Sequence, residues 1–131
     1  MKKKAVSSSI YDNQRNLRLS ALSTRKTVLV SKDYILEVTK EKDAYEVSVL
    51  DPSTQEVELS FSVLKNHEEL SYRTLQQHLW LPPRLMEKVL RQARDFGISL
   101  EEAYLGEVRS ILLDARRTIE LLEKPLGGRG R

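Results

Sequence analysis

The spacing of apolar residues changes once along this chain, near Lys65, from every second residue to the spacing of an α-helix. Before that point Tyr34, Leu36 and Val38 alternate with polar residues, as do Tyr45, Val47 and Val49, and then Val57, Leu59, Phe61 and Val63. Strict alternation puts one face of an extended chain in a core and the other in water, so these runs read as half-buried strands. Lys40-Glu41-Lys42-Asp43 and Asp51-Pro52-Ser53-Thr54 supply turn residues between them. Val28 and Val30 add a further short strand turning at Ser31-Lys32-Asp33. The expectation is an antiparallel meander of three or four strands over 27–64.

The helical part is punctuated by recognisable signals. Asn66 and Glu69 have capping-box spacing and predict a helix over 67–79 that ends before Pro82-Pro83. Pro83 is tolerated in a first helical turn, and Leu85, Met86, Val89, Leu90, Ala93 and Phe96 form the apolar stripe of a second helix. Gly97 can take the left-handed residue that stops it. Ser99 and Glu102 then repeat the capping box and open a third helix reaching about Glu123, where Pro125 and Gly127-Gly128 end it. The fold class expected is therefore α+β, a β-meander followed by three helices, the last one long. Its 27–123 body is a single domain, with helices over 66–123.

The third helix carries Leu100, Tyr104, Val108, Ile111, Ala115, Ile119 and Leu122 on one face. At 1.5 Å per residue it runs about 36 Å, more than a three-stranded sheet covers. Leu105 and Leu112 widen the stripe. A homo-oligomer interface, dimer or higher, is expected at Leu105, Val108, Ile111, Leu112, Ala115, Ile119 and Leu122, because large apolar helix faces are rarely left bare.

Charge is sorted by position. Residues 1–26 carry Lys2, Lys3, Lys4, Arg15, Arg18, Arg25 and Lys26 against Asp12, net +6. Residues 124–131 add Lys124, Arg129 and Arg131, net +3, while the body between is net −6. One-signed terminal blocks read as interaction tails, here a disordered or loosely docked arm and a Gly/Arg tail. The polar sheet face carries Glu37, Glu46, Glu56 and Glu58 and would repel phosphates.

Composition narrows the chemistry. With no Cys there is no thiolate nucleophile, disulfide framework or Cys-ligated zinc. His67 and His78, the two histidines, lack the spacing of a zinc pair, so no metal or cofactor is expected. No P-loop, dinucleotide fingerprint or nucleophile elbow occurs. The carboxylate pairs Glu68/Glu69 and Glu101/Glu102 sit at helix starts, where the helix dipole explains them. No enzyme activity and no small-molecule substrate are expected. No apolar run reaches membrane-spanning length, and none follows Met1-Lys2-Lys3-Lys4 as a signal peptide requires. A cytoplasmic protein is expected.

Two function classes remain. The first is non-enzymatic binding of nucleic acid, single-stranded or duplex DNA or RNA. Phosphates would be held by the arm, by Arg129 and Arg131, and by Arg84, Lys88 and Arg91, spaced as one stripe on the second helix. His78 and Trp80 beside it would stack on bases. The second is a protein-interaction or assembly module whose basic arm docks on an acidic protein surface. A continuous basic path would favour the first; scattered cations would favour the second.

One stretch, Leu79-Trp80-Leu81-Pro82, Leu85, Val89, Ala93, Gly97-Ile98-Ser99 and Glu102, resembles the ribbon-helix-helix DNA-binding proteins. It covers about a quarter of the chain. The resemblance implies a short strand before Pro82 that pairs between subunits in the major groove, with Gln76, His78 and Trp80 facing DNA. Two departures stand beside it: a bulky Trp at a groove-reading position, and a helical rather than strand-like pattern over 67–79.

Overall fold

In a computed structural model describing residues 25–123, the alternating half of the chain forms four strands. They are β1 (Arg25–Val30), β2 (Ile35–Lys40), β3 (Ala44–Leu50) and β4 (Val57–Leu64). They pair antiparallel in sequence order, each with the next, so the meander is four-stranded. The boundary drawn after Lys26 is corrected: Arg25 and Lys26 belong to β1, opposite Lys40 and Thr39. The Lys26 ammonium lies 3.8 Å from Glu37.

The turns follow from their residues. Ser31 closes the first by accepting the Tyr34 N–H through its hydroxyl, at 3.3 Å. Asp51 closes the third by accepting the Ser53 N–H at 2.7 Å. Gln55 completes that turn at φ 64°, a left-handed conformation that a residue with a Cβ rarely adopts. The register then slips between Val49 and Leu50, leaving Glu58 between the pairs Leu50–Val57 and Val49–Leu59. Such a bulge re-aims the extra side chain, here that of Glu58.

After a 3-10 turn at Lys65–His67 come three helices, α1 (Glu68–His78), α2 (Pro83–Phe96) and α3 (Leu100–Glu123). The capping box expected at Asn66 does not form: the N-cap of α1 is His67, without a side-chain cap bond. The tight turn out of β4 occupies Asn66, and Ser71 instead accepts the Leu64 N–H at 3.1 Å. The second box begins as predicted, with Ser99 accepting the Glu102 N–H at 3.0 Å. Pro83 opens α2 and Gly97 closes it at φ 66°. The strand implied by the ribbon-helix-helix resemblance is absent among the described residues. The chain before Leu79 is helical, and the linker to Pro83 pairs with no strand.

All three helices lie on the inner sheet face. α3 packs across β1 and β2, α1 packs on β4, and both α1 and α2 pack on α3. Leu36, Val38, Val47, Val49 and Val63 from the sheet meet Leu85, Val89, Val108, Ile111 and Ala115 in one core. The residues expected at an interface between copies lie in or beside this core. Val108, Ile111, Leu112, Ala115, Ile119 and Leu122 are all buried inside the single chain, and Leu105 is half-buried. The reason is β1: the fourth strand widens the sheet beneath α3, and the shorter helices cover its flanks.

Three core tyrosines tie the layers together. Tyr34 donates to Asp114 and Tyr45 to Glu123, each at 2.6 Å, while Tyr72 lies beneath the Arg116 guanidinium. Burial pushes all three phenols up, helped at Tyr34 and Tyr45 by the accepting carboxylates; Tyr72 reaches about 12. Burial likewise opposes the charge of Lys88, but Asp33 and Glu107 outweigh it and hold its ammonium above the usual lysine range. Above pH ~10 the unfolded tyrosines lose protons that the folded ones keep, so stability falls as pH rises. Each contributes up to about 1.4 kcal/mol per pH unit in that window. Urea titrations from pH 9 upward are expected to show this fall, with a shallower slope in Tyr34→Phe.

Candidate interaction surfaces

The basic stripe on α2 is present, but most of it is turned inward to carboxylates. Glu58, displaced by the bulge, receives Arg84 in a two-pronged bond at 2.9 and 2.8 Å. Arg84 also donates to the Asp33 carbonyl at 2.8 Å and lies 3.5 Å from Asp51. Lys88 sits between Asp33 at 2.7 Å and Glu107 at 3.1 Å. Hydrogen bonding from Lys88 holds the Asp33 carboxyl below its usual range, and the Glu58 bond raises Arg84 above its own. These contacts fasten the start of α2 to two turns of the sheet and to α3. Of the three, Arg91 alone is exposed and has no ion pair among the described residues.

Trp80 has the opposite fate from a core residue. Leu79 is extended, and so is Pro82 as N-cap of α2. An extended chain alternates its side chains. Leu79 and Leu81 therefore anchor in the core, and Trp80, between them, is thrown outward, 82% exposed. Below it opens a cleft of about 560 Å³ lined by Gln77, His78, Leu79, Trp80, Leu81, Met86 and Tyr104. The Tyr104 hydroxyl donates to the Leu79 carbonyl and braces the floor. His78 turns its Nδ1 to the Thr74 carbonyl at 3.0 Å, which fixes the ring. Leu90, one helical turn beyond Met86 and 53% exposed, continues the apolar surface along α2. No lysine or arginine lines this cleft.

A second surface has no counterpart among the sequence expectations. Between α1 and α3 a small groove of about 170 Å³ is lined by Tyr72, Gln76, Arg109, Leu112, Leu113 and Arg116. Arg116 stacks 4.5 Å above the Tyr72 ring and reaches Glu69 at 3.8 Å. Arg109 and, on α1, Arg73 are exposed and have no ion pair among the described residues. Arg109 and Arg116 lie two turns apart, a signal readable in the sequence. The partnering groove, however, comes from α1, whose placement the sequence does not specify.

Lys2, Lys3, Lys4, Arg15, Arg18, Arg129 and Arg131 lie outside the described residues. No group of histidines and carboxylates able to hold a metal occurs among the described residues, and no described helix is long and apolar enough to cross a membrane. No family model, curated protein or solved structure matches this chain.

Proposed function

We propose that this protein is a non-enzymatic protein-interaction module that grips its partner at Trp80. The observation that carries the reading is the exposure of that side chain at the mouth of a largely apolar cleft without lysine or arginine. A large aromatic held outward by its buried neighbours forgoes burial in the folded monomer and offers it to a partner. Tryptophan is among the residue types that dominate binding energy at interfaces. The fitting ligand is a protein segment presenting an apolar side chain to the cleft. The internal ion pairs of Arg84 and Lys88 support the same choice, because they leave the α2 cations scattered rather than continuous.

A second reading, binding of nucleic acid, is favoured by one specific observation: Arg73, Arg91 and Arg109 stand exposed and without ion pairs among the described residues. With the basic arm and tail they would supply phosphate contacts, and Trp80 with His78 a stacking platform.

Trp80 is the single tryptophan, so its emission reports on the cleft directly. Binders selected from a displayed random-peptide library are expected to carry an apolar anchor and shift that emission to the blue. Trp80→Ala is expected to change stability by less than about 0.5 kcal/mol and to weaken those binders by about 2 kcal/mol or more, roughly 30-fold. If the partner is a second copy, elution volume will depend on concentration in the wild type and not in Trp80→Ala. Single-stranded DNA, duplex DNA and RNA titrated at low and high salt separate the second reading. Salt-sensitive binding to one of them, with no peptide selected, would replace the first reading with the second.

A further inference from the structure

The outer face of the sheet has no described element packed on it, yet it is not a plain solvent face. Val30, Ile35, Leu50 and Val57 stand opposite one another in register, an apolar row crossing all four strands. At its two edges Val30 is 73% and Val57 58% exposed, while Ile35 between them is half-buried and Leu50 is buried. The next row is Val28, Glu37, Ser48 and Ser60, and the one beyond is Lys26, Thr39, Glu46 and Ser62. Glu37 and Glu46 thus face outward with Lys26 as the cation among them. Glu41, Asp43 and Glu56 lie at the rims with Lys32 and Lys42.

We infer that this face is the docking seat of the chain's own basic arm, residues 1–24. Charge, reach and tethering favour that occupant. The first is charge: residues 1–24 carry five basic residues and one acid, opposite in sign to the carboxylates of the face. The second is reach. The arm joins β1 at Arg25, five residues along the strand from the apolar row, about 17 Å at strand spacing. The same number of residues counted back from Thr24 arrives at Leu19, which can meet the row with Leu17 nearby, while Arg15 and Arg18 fall beyond the row, toward the rim that carries Glu56. The third is tethering. A short link raises the local concentration of the arm to about the millimolar range, so a weak site fills from its own chain before another copy's. A seated arm also covers the exposed valines and takes its cations out of reach of phosphates.

This assignment stands apart from the Trp80 reading and fails separately. The chain has no Cys, so Ser20→Cys gives one attachment point for a paramagnetic label in the full-length protein. The amide peaks of Val28, Ser48 and Ser60 are expected to lose more than half their height, while that of Arg91 on α2 keeps its own. The loss should reverse at ~0.5 M salt, where the charge attraction is screened, and in the variant Glu37→Lys/Glu46→Lys. No selective broadening at low salt, or broadening on the helices instead, would overturn the seat. A mixture of labelled chain with isotope-enriched unlabelled chain tests the tether. Broadening across molecules would overturn docking of the chain's own arm in favour of a second copy's.

Discussion

Ile111→Asp is expected to unfold the protein rather than to separate subunits. Ile111 is wholly buried on α3, which packs on β1 and β2, and belongs to the same core as Leu36, Val38, Val108 and Ala115. Removing its side chain alone costs about 2–5 kcal/mol in transfer and cavity terms. The aspartate then places an unpaired carboxylate in an apolar interior, a further cost of several kcal/mol. Together these approach the whole stability of a domain this size, about 5–15 kcal/mol. Far-UV circular dichroism and a urea titration will show it. Leu113→Asp, two positions along α3 at a site 48% exposed, is the control. It is expected to change stability by no more than about 1 kcal/mol. An Ile111→Asp protein that stayed folded while losing an oligomer would return the α3 stripe to an intersubunit role.

Lys88→Met is the second large effect. Glu107 is 4% exposed and is held by the Lys88 ammonium at 3.1 Å. Removing that ammonium leaves a buried carboxylate without its partner, a loss of about 3–5 kcal/mol. Asp33 loses the same partner but is exposed enough for water to replace it. The double variant Lys88→Met/Glu107→Leu is expected to recover to within about 1 kcal/mol of the wild type, because apolar groups of similar volume substitute well for a buried pair. The single variant also carries a pH signature. Lys88 holds the folded Asp33 carboxyl below its ordinary 3.8. A carboxyl lowered in the folded state contributes stability above its unfolded value and loses it as pH falls through the folded one. Below pH ~4 the wild type should therefore lose stability that Lys88→Met never had. Denaturation midpoints at pH 3 and 7 read the difference.

The elements whose signals are local were legible before the fold was known. Alternation located the strands, and Pro83, Gly97 and the Ser99–Glu102 pair marked the helix boundaries correctly. The Asn66 box failed because a capping signal competes with the geometry of the chain entering it, here a tight turn out of β4. Exposure of Trp80 could have been read from Leu79-Trp80-Leu81 ahead of two prolines. A residue before proline avoids the helical region, and an extended segment must alternate. Composition alone argues the other way, since an aromatic residue between leucines resembles core.

The long-range choices were not legible. Arg84, Lys88 and Arg91 have ideal spacing for a cationic stripe, but spacing does not reveal what faces it. A bulge that displaces Glu58, a turn that presents Asp33 and the facing position of Glu107 convert two of the three into internal ties. The α3 stripe likewise reads the same whether its cover is a second copy or its own sheet. By itself the sequence determined the elements, their order and the separation of basic ends from an acidic body, because these follow from periodicity and charge along the chain. Only the tertiary structure decided which charges are cancelled, which apolar stripe is already covered and which aromatic is left outside, because each depends on residues far apart in the chain meeting across the core.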